Sequence, residues 1–310
     1  MILIDSENIN GIEPLVATIG FFDGVHAGHR YLIDQVKEEA RRCSLPSAVI
    51  TFPVHPRKIL NSDYQPALLC GFKEKIDRLA STGIEYCISL GFTPEISRLS
   101  AKDFMDRILK KRLNVNTLFI GYDHRFGHNR AEGFDDYKRY GDEMGMDVIE
   151  AKELNHYEHI SSSRIRRLLG NGEVGIAAKL LSYNYTISGK IVEGFKVGRT
   201  IGFPTANIQI WEDYKVVPAF GVYAVIVHIE DKKYKGMLYI GKRPTLHNGD
   251  NLSLEVNILD FDEDLYNKSL TAEFIEFVRA DQKFSNIDEL KAQIFRDKEN
   301  VQKILRRLVL

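Results

Sequence analysis

The chain has little cysteine, no excess of charge of either sign and no long apolar run, and each shortage excludes a class of protein. Its three cysteines, Cys43, Cys70 and Cys87, are odd in number, widely spaced and set among apolar neighbours. That argues against a disulfide framework or a thiolate metal site. It reads instead as buried thiols in a reducing compartment, so a cytoplasmic location is expected. A formal net charge of -1 leaves no electrostatic footprint for general nucleic-acid binding. No apolar stretch reaches membrane-spanning length, so no membrane partner is expected. Met1 to Asn10 hold neither a basic residue nor a long apolar stretch, so no secretory leader is read there. Also missing are an internal repeat, a low-complexity tract, a Pro/Gly/Ser-rich linker and a Walker A loop.

What is present divides into two patterns. At 310 residues the chain is long for one core, and two domains are expected. In the first half, apolar runs at Ala48–Phe52, Tyr86–Leu90 and Thr117–Ile120 alternate with helical segments around Phe72–Leu79 and Phe104–Leu113. This is the pattern of an α/β domain with a parallel sheet covered on both faces. Near Tyr183 the character changes, and domains of 1–183 and 184–310 are expected. Beyond that point strand-like runs follow one another at Thr186–Val192, Gly221–Ile229, Tyr234–Ile240, Leu252–Leu259 and Leu270–Val278, with a hairpin turn at Glu230–Lys233. A last helix carries Ile287, Leu290, Ile294, Val301, Ile304 and Leu308 toward a partner surface. Antiparallel strands with one closing helix predict a small β-barrel.

The most informative segment runs from Thr18 to His29. An apolar strand breaks at Gly20, Phe21 and Phe22, passes Asp23 and Gly24, and enters an amphipathic helix through His26, Gly28 and His29. Backbone N–H groups and the positive end of the helix dipole converge there, a setting suited to phosphate. Gly24 and Gly28 permit close backbone approach. His26 and His29 can donate to one oxyanion and steady charge that builds during phosphoryl or nucleotidyl transfer. Glycine-rich strand–helix turns are common in α/β folds, and on its own the segment is also consistent with simple turn polarity. The His-x-Gly-His arrangement resembles the signature of nucleotidyltransferases.

Ser161, Ser162 and Ser163 precede Arg166 and the apolar Ile165, Leu168 and Leu169. Alone this is an ordinary capped basic helix; with the histidine corner it becomes a second anion site, Arg166 gripping triphosphate oxygens. Phe52, His55 and Pro56 end a strand and can line a pocket, as can Asp123, Arg125 and Phe126 after another. Asp123, His124 and His128 lie in a loop without thiolate partners, which disfavours a metal site. In the second half Gly198, Arg199 and Gly202 lie in a glycine-rich loop ahead of Thr205 and Asn207, whose neutral oxygens suit Mg²⁺ already carrying phosphate. Glu255 lies on the polar side of its strand, either a solvated carboxylate or a general base. The segment containing Arg279 and Phe284 is either a solvated connection or a ligand clamp.

Taken together these motifs resemble the bifunctional riboflavin kinase/FMN adenylyltransferase (FAD synthetase) family over nearly the whole chain. The resemblance rests on the Gly20–His29 segment, Phe52-Pro53-x-His55-Pro56, Gly121-x-Asp123-x-Arg125-Phe126-Gly127, Ser161-Ser162-Ser163-x-Ile165-Arg166 and Gly198-Arg199-x-x-Gly202-Phe203-Pro204-Thr205-Ala206-Asn207. It implies a Rossmann-like nucleotidyltransferase domain followed by a flavokinase barrel, with ATP as co-substrate, Mg²⁺, and riboflavin, FMN and FAD as ligands. It further implies catalysis by His26, His29, Arg166 and Glu255. Gly20, Phe21, Asp23, Gly24, Gly28, Ser161 to Ser163, Gly198, Arg199 and Gly202 would bind ATP, and Thr205 and Asn207 the metal. Phe52, His55, Pro56, Asp123, Arg125, Phe126, Arg279 and Phe284 would bind flavin. His124, Tyr239, Asn257 and Asp281 depart from the family's usual residues. A single-activity nucleotidyltransferase and a flavin-responsive regulator without turnover remain open as alternatives.

Overall fold

A computed structural model describes the chain apart from residues 7, 8, 10, 62, 66, 122, 123, 129, 130, 155–159, 193–202, 244–250, 262–264, 266, 309 and 310. It separates into two compact units, Met1–Ser162 and Ser163–Leu310.

The first unit is built on six parallel strands: β1 (Ile2–Asp5), β2 (Leu15–Ile19), β3 (Ser47–Thr51), β4 (Tyr86–Ser89), β5 (Val115–Ile120) and β6 (Asp147–Glu150), in the order β1-β4-β3-β2-β5-β6. Strands β2 and β3 are buried at every residue, as near-continuous apolar runs require when helices cover both faces. The helices are α1 (Ala27–Cys43), α2 (Pro56–Leu60), α3 (Phe72–Ala80), α4 (Pro94–Ser97), α5 (Ala101–Asp103, continued as a π-helix over Phe104–Arg112) and α6 (Phe134–Met144). From β2 the chain steps to β3 on one side, and later places β5 on the other. Strand order therefore reverses beside β2, and such a switch point opens a ligand crevice at the carboxyl ends of the strands. The segments after β2, β3 and β5 are those that carry the sequence motifs.

In the second unit α7 (Ser162–Gly170) and α8 (Val174–Leu181) precede the strands β7 (Thr186–Val192), β8 (Ala206–Ile210), β9 (Gly221–Ile229), β10 (Lys232–Arg243), β11 (Asn251–Ile258) and β12 (Ser269–Ala280). These strands close into a barrel in the order β10-β11-β8-β7-β12-β9, which removes every free sheet edge. The helix α9 (Ile287–Leu305) seals one side, with Val301 and Leu305 fully buried against Val222, Ala224, Ile226 and Met237. α8 packs on β12, burying Val174, Ala177 and Leu181. The change in sequence pattern at Tyr183 marks where strands begin, whereas packing begins earlier, at α7.

Two details differ from the sequence reading. Ile287 and Leu308 are exposed at 55% and 37%, because α9 buries residues of its C-terminal half, Asp297, Val301 and Leu305, and Leu308 lies beyond its end. Cys70 and Cys87 are buried free thiols, but Cys43 is only half-buried at the end of α1.

Candidate active sites

Between β2 and α1 the chain makes one turn of 3-10 helix at Asp23–Val25, with Phe22, Gly24 and Val25 all at positive φ (55°, 77° and 41°). Left-handed backbone at two non-glycine residues is uncommon and clusters at functional sites. Buried partners hold the turn: the Asp23 carboxylate accepts from Leu69 N–H at 2.8 Å, and Gly24 N–H donates to Cys70 Sγ at 3.2 Å. Asp23, itself buried, thus shapes the turn. Burial, reinforced by the Asp23 carboxylate, pushes the Cys70 thiol up to about 12, so it stays neutral.

His26 caps α1, its Nδ1 accepting from His29 N–H at 3.3 Å. An accepting Nδ1 puts the proton of neutral His26 on Nε2, leaving that nitrogen as a donor. The two imidazoles stack with centroids 3.6 Å apart and planes 14° from parallel, while Phe22 sets its ring edge-on to His29 at 5.1 Å. Burial, followed by the neighbouring His26, His124 and Lys75, holds His29 well below the usual imidazole range. His29 is therefore a neutral N–H donor at pH 7. A Cβ on Gly28 would come within 3.3 Å of His26 Nδ1, so glycine there leaves room for the capping ring. The Ser162 hydroxyl donates to Asp23 O at 3.0 Å, joining the serine run to the histidine turn. On α7, Arg166 follows Ser162 by one helical turn and donates to Ser163 Oγ at 3.1 Å.

The loop after β3 comes to the same corner. His55 caps α2 through its Nδ1 and lies 4.6 Å from the Phe21 ring. Phe52 meets Phe92 edge-to-face at 5.6 Å, and Pro56 begins α2. Of the third loop, Arg125 is exposed, and Phe126 stacks on the buried Tyr137 at 4.3 Å. Asp123 lies outside the described residues.

In the barrel, residues paired across antiparallel strands share a face. Tyr239 pairs with Glu255 and Glu255 with Asn207, while Met237 pairs with Asn257. All therefore project to the side that carries α9, with Leu238, Leu254 and Val256 turned to the barrel interior. Glu255 is half-buried; its Oε1 accepts from Ser253 Oγ at 3.0 Å and its Oε2 from Thr205 Oγ1 at 3.3 Å. Asn257 Nδ2 fixes the approach to Thr205 by donating to Pro204 O at 2.7 Å. At the mouth of this face the Tyr239 hydroxyl donates to Asp281 Oδ1 at 3.0 Å. Burial and that bond push the phenol up to about 12. Arg279 is bidentate to Asp297 of α9, with Nε 3.0 and 2.9 Å from the two carboxylate oxygens, and lies 5.9 Å over the Phe284 ring. Gly198, Arg199 and Gly202 lie outside the described residues.

Two charged residues that the sequence reading passed over hold these sites together: Lys75 in the first unit and Asp297 in the second, 2% and 1% exposed. Each occupies an apolar stripe of its helix, Lys75 between Phe72 and Leu79 and Asp297 between Ile294 and Val301. A charge in phase with the buried face is the signal that could have found them.

Residues 9–164 match a family model described as FAD synthetase, and residues 181–305 one described as riboflavin kinase. A nucleotide-transferring α/β unit followed by a flavokinase barrel defines an enzyme that builds flavin nucleotides. The chain is 38% identical over 287 residues to the bifunctional riboflavin kinase/FMN adenylyltransferase of Escherichia coli (strain K12), covering 92% of this chain and 91% of that protein. The enzymes of the same name from Listeria monocytogenes serovar 1/2a and Bacillus subtilis (strain 168) are each 36% identical, covering 94% and 92% of this chain and 93% and 90% of theirs. A solved structure described as a macrolide-efflux protein from Streptococcus pneumoniae superposes with a TM-score of 0.88 at 32% identity, covering 97% of this chain and 99% of that one. Among the described residues no helix is long and apolar enough to cross a membrane.

The chain belongs to the family of bifunctional riboflavin kinase/FMN adenylyltransferases. It phosphorylates riboflavin to FMN with ATP, then adenylylates FMN with a second ATP to give FAD and pyrophosphate.

Proposed function

We propose that the two reactions use two separate sets of groups: His26, His29 and Arg166 for adenylyl transfer, and Glu255 with Thr205 and Asn207 for phosphorylation. We place the functional boundary at residues 183/184, so that the serine run and Arg166 serve the first reaction. The observation that carries this reading is the contrast between the two centres. One offers imidazole N–H donors at a helix start, with the basicity of His29 lowered, and the other a carboxylate held by two hydroxyls.

The riboflavin 5′-hydroxyl is too weak an acid to attack unaided. Glu255 takes its proton as the new O–P bond forms to the γ-phosphorus and the bond to ADP breaks. In adenylyl transfer the FMN phosphate is already ionised and needs no base. Its oxygen attacks the α-phosphorus and pyrophosphate leaves. His26, His29 and Arg166 align the phosphates and stabilise the charge that builds on them. Gly20, Phe21, Gly24, Gly28 and the serine run shape the triphosphate site, with Asp23 fixing the turn. Phe52, His55, Pro56, Asp123, Arg125 and Phe126 receive the flavin of FMN. In the barrel Gly198, Arg199 and Gly202 cover ATP, and Arg279 and Phe284 border the flavin.

The donor set beside Glu255 fits Mg²⁺: a threonine hydroxyl within hydrogen-bond reach of the carboxylate and a paired asparagine supply hard oxygen ligands alone. Thr205 and Asn207 would hold the ion together with substrate phosphates, and it would offset phosphate charge. The near-neutral net charge supports a protein with no nucleic-acid or membrane partner, and the free thiols support a cytoplasmic location.

The test is to incubate the protein with riboflavin, ATP and Mg²⁺ and separate the flavins. His29→Ala is expected to accumulate FMN without FAD, and loss of both products in a folded variant would sink the two-site assignment.

A further inference from the structure

Lys75 is a buried lysine that the mechanism above does not use. Its Nζ donates to the carbonyl oxygens of Phe52 at 2.8 Å and Phe21 at 3.0 Å. The ammonium also lies 4.1 Å from the centre of the Phe21 ring. Among the described residues no carboxylate forms an ion pair with it. Phe21 and Phe52 are the residues by which the chain leaves β2 and β3, so one cation ties together two neighbouring strand-end loops. Thr51 Oγ1 adds a bond to the same Phe21 carbonyl at 3.2 Å. Burying an ammonium is costly, and its bonds to the two carbonyls offset that cost only while it holds both loops in place.

We propose that Lys75 is a positioning residue for adenylyl transfer: its ammonium clamps the loops after β2 and β3 into register and fixes a positive charge beneath the site for the ATP phosphates. This rests on the assignment of adenylyl transfer to the His26/His29 corner. It gives the first unit a buried cation at neutral pH beside a neutral His29, and preorganised charge is worth most where water is excluded.

The proposal has a pH signature. Burial pulls Lys75 down to about 8, with Cys70, Asp23 and Cys87 opposing the shift. The other groups that face it are the Asp23 carboxylate from the turn, Cys70 ahead of α3, Cys87 from β4 and His29 from α1. The two thiols are pushed up to about 12 and about 11 and His29 is pushed down, so neither thiol nor His29 titrates near 8. Below its pKa Lys75 is charged and donates to both carbonyls, and above it the charge is lost.

The experiment measures kcat/KM for ATP in FAD formation from supplied FMN across neutral and alkaline pH, which reports groups of the free enzyme. The parent protein, Lys75→Met and His29→Ala are compared, each with a melting curve and a parallel assay of riboflavin phosphorylation. In the parent, activity is expected to fall through one ionisation near 8. Lys75→Met is expected to be roughly 10- to 100-fold slower at neutral pH, the scale of slightly misplaced reactants, with that ionisation gone and phosphorylation unchanged. A lysine that served stability alone would shift only the melting curve, and a folded Lys75→Met with the parent's kcat/KM overturns the proposal. Should Lys75→Met fail to fold, the parent profile decides: no ionisation near 8 overturns it. Parent-like FAD formation by His29→Ala would instead bring down the site assignment, whereas an inactive His29→Ala beside a parent-like Lys75→Met overturns the role of Lys75 alone.

Discussion

Replacing Glu255 by Gln separates a base from a scaffold with the least disturbance of shape. The carboxylate accepts one hydrogen bond on each oxygen, from Ser253 at 3.0 Å and Thr205 at 3.3 Å. Glutamine keeps one acceptor oxygen and presents an NH₂ to the other hydroxyl, which can rotate to accept. The structural loss is then the difference between charge-assisted and neutral bonds, about 1 kcal/mol. Catalysis loses far more: a positioned base contributes about 10²- to 10⁴-fold, or about 2.7 to 5.4 kcal/mol of barrier at 1.36 kcal/mol per tenfold. Glu255→Gln should therefore melt close to the parent while riboflavin phosphorylation at saturating substrates collapses. Conversion of supplied FMN to FAD should run at the parent rate, because it draws on the other unit. The assay is chromatographic separation of flavins over time alongside a thermal melt. A Glu255→Gln variant that phosphorylates riboflavin within a few-fold of the parent would show that the carboxylate only holds Ser253 and Thr205.

The second unit should work alone. Fragments 163–310 and 184–310 are both expected to convert riboflavin to FMN, but the longer should melt higher, because Val174, Ala177 and Leu181 on α8 are no more than 1% exposed; equal melting temperatures would show that α7 and α8 add nothing to the barrel. Asp297→Asn should destabilise that unit by about 3 kcal/mol, since removing one partner of a buried ion pair costs about 3–5 kcal/mol and the 18% exposure of the Arg279 side chain places it at the low end. At about 2–4 °C per kcal/mol for a unit of this size, the expected drop in melting temperature is about 6–12 °C, and a shift below about 2 °C would mean that water replaces the carboxylate.

The parallel sheet and the barrel were legible because their central strands obey simple burial rules. The apolar runs at 48–52, 86–90 and 117–120 all became strands, and so did five of the six barrel strands. The strands that went unread were β1, β6 and β8. β1 and β6 are four-residue edge strands, too short and too exposed to show a period. Each pairs on one side only, so its residues need not be apolar. β8 follows a glycine-rich run of sequence and carries Asn207 and Gln209 between its apolar residues, and that composition hides it. Periodicity also placed α5 without revealing its π-helical turns, because its buried residues Phe104, Met105, Ile108 and Leu109 recur four apart, a spacing that an α-helix gives as well. In the sites, the histidine pair and Glu255 stood out by residue type. Lys75 and Asp297 did not, because a lone charge in a helix usually faces water, and only its phase with the buried stripe marks it.

The distribution of charge explains why the two reactions need two units. A nucleophile that must lose a proton needs a carboxylate beside it, and Glu255 stands with neutral hydroxyls as its partners. A nucleophile that is already a phosphate dianion is repelled by the same carboxylate. The first unit accordingly commits its buried carboxylate to the backbone, where Asp23 accepts from Leu69 N–H. Burial and neighbouring positive charge keep His29 neutral, which suits the hydrogen-bond donor role proposed for it. In the proposed assignment Lys75 adds a positive charge to that of Arg166, its buried ammonium already holding two loop carbonyls. Placing Glu255 in the first corner would raise the barrier to adenylyl transfer, and placing Lys75 beside Glu255 would lower the basicity of the carboxylate. Product of one unit is substrate for the other, and in the proposed assignment only the phosphorylation needs a base.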